Sequence, residues 1–305
     1  MQNWIKLGNI FTPNNNFDWM VSHAANPFAE HLEKSIYRIY FTCRDANNRS
    51  HIGTVDIDFE NKFNIENISE TPVLAPGELG LFDDSGVAMG YLTEINGKKM
   101  LYYLGWNLKV TVPWLNTIGL AVYNKNTNIF EKTSKAPLLD RSHVDPFTIS
   151  YPSILFDDGI YKMWYGSNLK WGADQSEMNH VIKYAESKDG ITWVRTGKIV
   201  LDLIYNNEYA LSKPFVIKED GKYKMWYSYR GRESITTYRI GYAFSEDGIT
   251  WHRKDNDVGI DVSENGWDSS MISYPFILNH KNEKYMLYNG NDYGKTGFGI
   301  AKLKG

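Results

Sequence analysis

A chain of 305 residues that is 42% hydrophobic and 15% aromatic, with 21 Tyr and 10 Trp, has apolar surface enough for a substantial core. A formal net charge of -3 with no long basic run excludes a phosphate-neutralising surface, so nucleic acid is not an expected partner. The single cysteine, Cys43, excludes an intramolecular disulfide framework and fits a reducing compartment, by default the cytoplasm; no signal-peptide pattern or apolar run of about 18 residues is present, so membrane insertion is not expected either.

The first predicted strand lies around Trp4 to Ile10. A first repeat opens at Asn26-Pro27 and carries YRIYF, with Ile39 twelve residues after the proline. The second has KMLYY at 99–103, and Met89 stands where the others have proline. The third and fourth are close copies of one another: YPSILFDDGIYKMWY at 151–165 and KPFVIKEDGKYKMWY at 213–227. A fifth, YPFILNHKNEKYMLY, runs over 274–288, so Pro152, Pro214 and Pro275 are spaced by 62 and 61 residues. A second signature, YAESKDGITW at 184–193 and YAFSEDGITW at 242–251, predicts a tight D-G turn between short strands. These runs are short, aromatic and β-branched, without the three-and-four spacing of a helical repeat. Five repeats of about 60 residues predict an all-β fold: one domain over 1–305, a five-bladed β-propeller with four-stranded antiparallel blades around a central axial funnel. The segment from Trp4 to Ile10 is expected to complete the last blade.

In such a fold the first strand of each blade lines the axis, so position in the repeat becomes position in space. Acidic residues fall five to seven places before the reference position in four repeats: Asp83 and Asp84, Asp145, Glu208 and Asp268. The first repeat offers His23 and Asn26 instead. Glycoside hydrolysis needs an acid for the leaving oxygen and usually a second carboxylate, held roughly 5 to 9.5 Å apart. The competing reading of these residues is that they cap loops at turns. Arg44, Arg49, Lys213 and Arg230 are candidate cationic contacts for phosphate, a nucleotide or an acidic sugar. Trp106, Trp114, Trp171 and Tyr151 are candidates for stacking on sugar rings, whereas Trp164 and Trp226 read as core. His23, His51 and His143 lack metal-ligand spacing, and no nucleophilic-serine or dinucleotide motif is present, so neither a metal nor a cofactor is expected.

The proline-led strands, K-M-W-Y and A-x-S-x-D-G-I-T-W resemble the propeller glycosidases of glycoside hydrolase families 32, 43, 68 and 130, over most of the chain. The first repeat, with Asn26-Pro27, Arg44, Arg49 and Ser50, is most similar to family 130. Families 32 and 43 have Asp before that proline; Asn26 cannot act as their base or nucleophile. Family 130 includes phosphorylases, in which phosphate attacks the sugar and the protein supplies an acid and cationic contacts. The second repeat's FDDSGV lacks that family's usual E-D-P-R order. The resemblance implies Glu208 as acid, Asp145 as orienting carboxylate and Asp84 as alternative acid or base. It leaves His23, Asn26, Arg44, Arg49, Asp83, Tyr151, Lys213, Arg230, Asp268 and Tyr274 as substrate contacts. The expected function is a glycoside hydrolase or phosphorylase-like enzyme acting on a carbohydrate or nucleotide-sugar substrate, with phosphate as a partner where the reaction is phosphorolysis. Bacterial surface-polysaccharide or nucleotide-sugar metabolism is the implied setting. The alternative is an inactive propeller that binds sugar or a protein.

Overall fold

The computed structural model describes residues 1–15, 17–171, 178–204 and 207–305, and is nearly all-β. Strands pair with their sequence neighbours in antiparallel runs. β2 (Ser22–Glu33), β3 (Ile36–Arg44), β4 (Ser50–Asp58) and β5 (Asn64–Ile68) form the first run. β6 (Gly86–Ile95), β7 (Lys98–Leu108), β8 (Trp114–Asn124) and β9 (Ile129–Lys132) form the second. The third comprises β10 (Ile149–Asp157), β11 (Ile160–Lys170), β12 (Asn179–Ser187) and β13 (Trp193–Leu201). β14 (Glu208–Glu219), β15 (Lys222–Gly231), β16 (Arg239–Ser245) and β17 (His252–Arg253) follow. In the last run β18 (Ser273–His280), β19 (Glu283–Asn289) and β20 (Phe298–Leu303) are joined by β1 (Trp4–Phe11), in the order β1-β20-β19-β18.

Single parallel pairs, Ser50 with Gly86 and His180 with Ala210, connect the first run to the second and the third to the fourth. First strands also pack on one another in turn: β2 on β6, β6 on β10, β10 on β14, β14 on β18, and β18 on β2. No helix among the described residues is long and apolar enough to cross a membrane.

Local sequence explains the hairpins. Asn96-Gly97, Asp158-Gly159 and Asp220-Gly221 each have both φ values positive, between 51° and 77°, which is the turn geometry that matches strand twist. Lys281-Asn282 adopts the same geometry without glycine. Second strands are covered on both faces, so Met163, Trp164 and Tyr165, and likewise Met225, Trp226 and Tyr227, are buried in succession rather than alternately. Trp164 and Trp226 are core residues, as their sequence context predicts; burial of such a side chain is worth roughly 1.5–3 kcal/mol or more. The D-G-I-T-W turns serve the neighbouring run as well. The Gly248 carbonyl accepts Trp164 Nε1 at 2.7 Å, and the Gly190 carbonyl accepts the Tyr102 hydroxyl.

One register is corrected by a single residue. Tyr91 pairs with Tyr102 as Phe215 pairs with Trp226, so Gly90, not Met89, occupies the proline position in the second run. Gly90 fits there because a Cβ would lie 2.2 Å from the Tyr102 carbonyl oxygen.

Candidate functional site

Every first strand is interrupted by a bulge at or just before the reference position. In four of them the residue preceding proline has left-handed backbone: Asn26 at φ 55°, Tyr151 at 35°, Lys213 at 50° and Tyr274 at 56°. L-residues seldom adopt this conformation, and a following proline disfavours it further. Strain of this kind, roughly 1–3 kcal/mol per position, concentrates at functional sites. The extra residue re-aims its side chain, and Asn26, Tyr151 and Tyr274 all line one cavity of about 920 Å³. The Asn26 amide N–H donates to Asn289 Oδ1 at 3.0 Å, the Met89 amide to Thr42 Oγ1 at 2.8 Å and the Tyr274 amide to Ser228 Oγ at 2.8 Å. Polar side chains on second strands therefore hold the bulges of the next run.

All five runs contribute to the cavity wall. The first supplies His23, Asn26, Arg44 and Arg49; the second Asp84, Ser85 and Trp106. Arg49 is bound by Asp45, whose carboxylate also takes His51. The Arg44 side chain has no hydrogen-bond or ion-pair partner among the described residues; its positive charge, after burial, helps lower the His23 pKa to about 4, so that imidazole is neutral at pH 7. Asp84 Oδ2 accepts the Gly80 amide and Oδ1 the Ser85 hydroxyl, each at 2.9 Å. It is the one carboxylate of the described residues that lines the cavity. Trp106 is anchored through Nε1 to Ser50 Oγ at 2.7 Å. Trp114 lines the cavity, and Trp171 packs edge-on against it at 5.8 Å. Tyr151, whose ring centre is 5.6 Å from that of Tyr274, has its phenol pushed up to about 12 by burial and is a neutral donor.

The other in-register carboxylates do not converge on the axis. Asp83 and Asp268 each accept a tyrosine hydroxyl from the residue twenty positions on, Tyr103 and Tyr288, and pair with Lys132 and Lys6 at 2.6 and 2.7 Å. Asp145 is fully buried and accepts Tyr165, Ser167, Lys183 and Arg195. Glu208 is gripped by Arg253, both guanidinium contacts being 2.9 Å. None of these four lines the cavity. The physical reason is that the segments entering β6, β10, β14 and β18 pass beside strands β9, β12, β13, β17 and β1, which present Lys or Arg to them. Their shared register marks a repeated structural clamp. Lys213 departs from expectation too: its ammonium donates to the Met89 and Gly90 carbonyls at 3.2 and 2.8 Å, and burial lowers its pKa to about 7. It braces β14 against β6 instead of facing substrate.

Sequence reasoning missed His180, Tyr238 and Tyr293, which line the cavity with Arg230, and Ser150 and Ser212. The serines had a signal, since Ser150, Ser212 and Ser273 stand two places before proline in successive repeats. Among the described residues Ser150 Oγ, His180 Nε2 and Arg230 Nε have no hydrogen-bond partner, leaving polar capacity in the wall for a ligand or water.

No protein-family profile matches the chain. It is 46% identical over 301 residues to the uncharacterized protein Rv1502 of Mycobacterium tuberculosis, covering 99% of each chain. A 133-residue stretch, 42% of each protein, is 32% identical to a 1,2-beta-oligomannan phosphorylase of Thermoanaerobacter sp. (strain X514). Among solved structures, a glycoside hydrolase superposes with a TM-score of 0.76 at 16% identity, covering 98% of this chain and 90% of that one. A structure from the GH130 family of mannoside phosphorylases and hydrolases superposes with a TM-score of 0.68 at 13% identity, covering 99% and 93%. The fold is that of the propeller glycosidases.

Proposed function

The chain belongs to the family of the mycobacterial protein Rv1502, and from that premise we propose that it is a carbohydrate-active enzyme acting on a glycosidic bond in its axial cavity. The scaffold in this reading is one domain over 1–305, a five-bladed propeller whose blades are the five antiparallel runs; the succession of first-strand contacts back to β2 supports it. The reaction the geometry favours is phosphorolysis. The observation that carries it is the presence in one cavity wall of a single carboxylate, Asp84, and of the Arg44 guanidinium, a cation with no partner among the described residues. Hydrolysis at an anomeric carbon ordinarily uses two carboxylates, one of them to activate water or attack the sugar. Phosphate brings its own nucleophilic oxygen, so the protein needs only a proton donor and a cation. In the proposed step a phosphate oxygen held at Arg44 forms the bond to the anomeric carbon. The glycosidic C–O bond breaks, and the leaving oxygen takes a proton from Asp84, releasing a sugar 1-phosphate. The partial likeness to an oligomannan phosphorylase supports this choice of nucleophile.

A second reading, sugar binding without turnover, is favoured by the engagement of Glu208 and Asp145 in ion pairs outside the cavity. Anomeric-proton NMR on a panel of neutral and acidic oligosaccharides, β-1,2-mannosides included, separates the two. Sugar 1-phosphate signals are expected only when phosphate is added, and Asp84→Asn is expected to slow them by about 100-fold or more without changing the melting temperature. Products formed in water alone would refute phosphorolysis. Ligand line broadening without any product would establish the binding reading.

A further inference from the structure

Arg230, on β15, is a buried cation without a counter-charge. It is 9% exposed and lines the cavity, and among the described residues no carboxylate pairs with it. Its guanidinium lies 4.9, 4.7 and 5.9 Å from the ring centres of Tyr209, Tyr238 and Tyr293. Cation–π attraction offsets part of the desolvation cost but supplies no negative charge. Nη1 donates to the Tyr293 hydroxyl at 2.6 Å, while Nε has no partner among the described residues. The unsatisfied edge of the fork is therefore the one running from Nε, which matches the two coplanar oxygens of a carboxylate. His180 lies in the same wall, its Nε2 without a partner among the described residues. Burial, and then the Arg230 charge, lower its pKa to about 3, so it adds hydrogen-bonding capacity and no charge.

From this arrangement we infer that the sugar bound in the cavity carries a carboxylate, and that Arg230 is the receptor for it. The inference rests on the cavity being a carbohydrate site, not on whether a bond is broken there. Charge balance selects the group. One guanidinium, a neutral imidazole and neutral phenols sum to a single positive charge, which a monoanion cancels. A phosphomonoester dianion would bring in a second negative charge, for which the next cation, Arg232 over the Tyr209 ring at 5.1 Å, is exposed and does not line the cavity. Arg44, on β3, is a separate cation and stays available for a free anion.

The test is a set of equilibrium titrations, by calorimetry and saturation-transfer NMR, of methyl glycosides of uronic acids, their neutral hexose counterparts, hexose 6-phosphates and inorganic phosphate. The wild-type protein is expected to bind at least one uronoside about tenfold or more tighter than its neutral counterpart. Arg230→Gln should abolish that preference while leaving neutral-sugar affinity within about twofold. Arg230→Lys, which keeps the charge and the aromatic contacts but loses the fork, should retain part of it, which guards against a folding defect in the first variant. Equal affinity for acidic and neutral sugars overturns the inference, as does a preference that survives in Arg230→Gln. Arg230-dependent binding of inorganic phosphate or hexose 6-phosphate in place of the uronoside also overturns it, assigning the subsite to phosphate. If no sugar of either kind binds while the anions do, the carbohydrate reading itself fails and takes the inference with it.

Discussion

Glu208 accepts both outer nitrogens of Arg253 and the Ile204 amide, each at 2.9 Å, at 5% exposure, so its charge is balanced before any substrate arrives. Glu208→Gln keeps the shape and removes the charge. It leaves Arg253 buried with Asp255 as its remaining carboxylate, at 2.6 Å. The expected cost is about 3 kcal/mol of stability, at the lower end for a broken buried pair because Asp255 remains. Urea denaturation should show a lower midpoint with an unchanged slope, and ligand affinity in the cavity should be preserved. A variant with wild-type stability and lost turnover would return Glu208 to the catalytic group. Residue type was legible in sequence here, but side-chain direction was not. Position before the proline told that Asp83, Asp145, Glu208 and Asp268 share a register. It did not reveal that the shared register faces cationic outer strands, because the cations lie far off along the chain: Lys132, Arg195 and Arg253 come about 45–50 residues after their carboxylates, and Lys6 stands near the opposite terminus from Asp268. Asn26, Arg44, Tyr151 and Tyr274 were legible because the bulge that aims or flanks them is written in the sequence as X-Pro.

At the scale of elements, the two repeated signatures are halves of one joint. Trp164 of the third run's K-M-W-Y donates Nε1 to Gly248 in the fourth run's D-G-I-T-W turn. Asp247 shapes that turn by accepting the Ile249 and Thr250 amides at 2.8 and 2.7 Å. Gly248 has φ 76°, and a Cβ there would stand 3.1 Å from the Trp164 ring, so glycine answers both the backbone and the close approach. The fifth run has no D-G-I-T-W, and Trp226 instead donates to Gln2 Oε1 at 3.1 Å, a residue from the far end of the chain. Trp164→Phe should preserve most of the ring packing but leave the Gly248 carbonyl with Trp251 Nε1, at 3.0 Å, as its remaining donor, at a cost of about 1 kcal/mol. Chemical denaturation measures it; a loss under about 0.3 kcal/mol would mean that Trp251 alone satisfies the carbonyl and that the joint is packing alone. Both motifs were visible in the sequence. Their partnership was not, since the two members lie 84 residues apart.

For the whole molecule the decisive contacts are those that bring the chain ends together. β1 pairs with β20, Lys6 meets the buried Asp268 at 2.7 Å, and the Phe11 ring lies 4.8 Å from Phe41 in the first run and 5.6 Å from Phe298 in the last. The Asn289 side chain, which receives the Asn26 amide at 3.0 Å, crosses the same seam and holds a bulge of the cavity wall. If the seam closes a ring, weakening it lowers the stability of all five runs together, because each first strand leans on the next. Phe11→Ala removes an almost fully buried ring and is expected to cost about 3–5 kcal/mol. Lys6→Met leaves Asp268 with Tyr288 as its remaining partner and is expected to cost about 3 kcal/mol. In both variants tryptophan fluorescence and far-UV circular dichroism should shift together in a single transition. Amide hydrogen exchange should quicken in β7, β11 and β15 as much as in β19. Exchange that quickens only in β1 and β18–β20, with the global midpoint unmoved, would show that the last run is a local appendage and that the cavity is held by the other four.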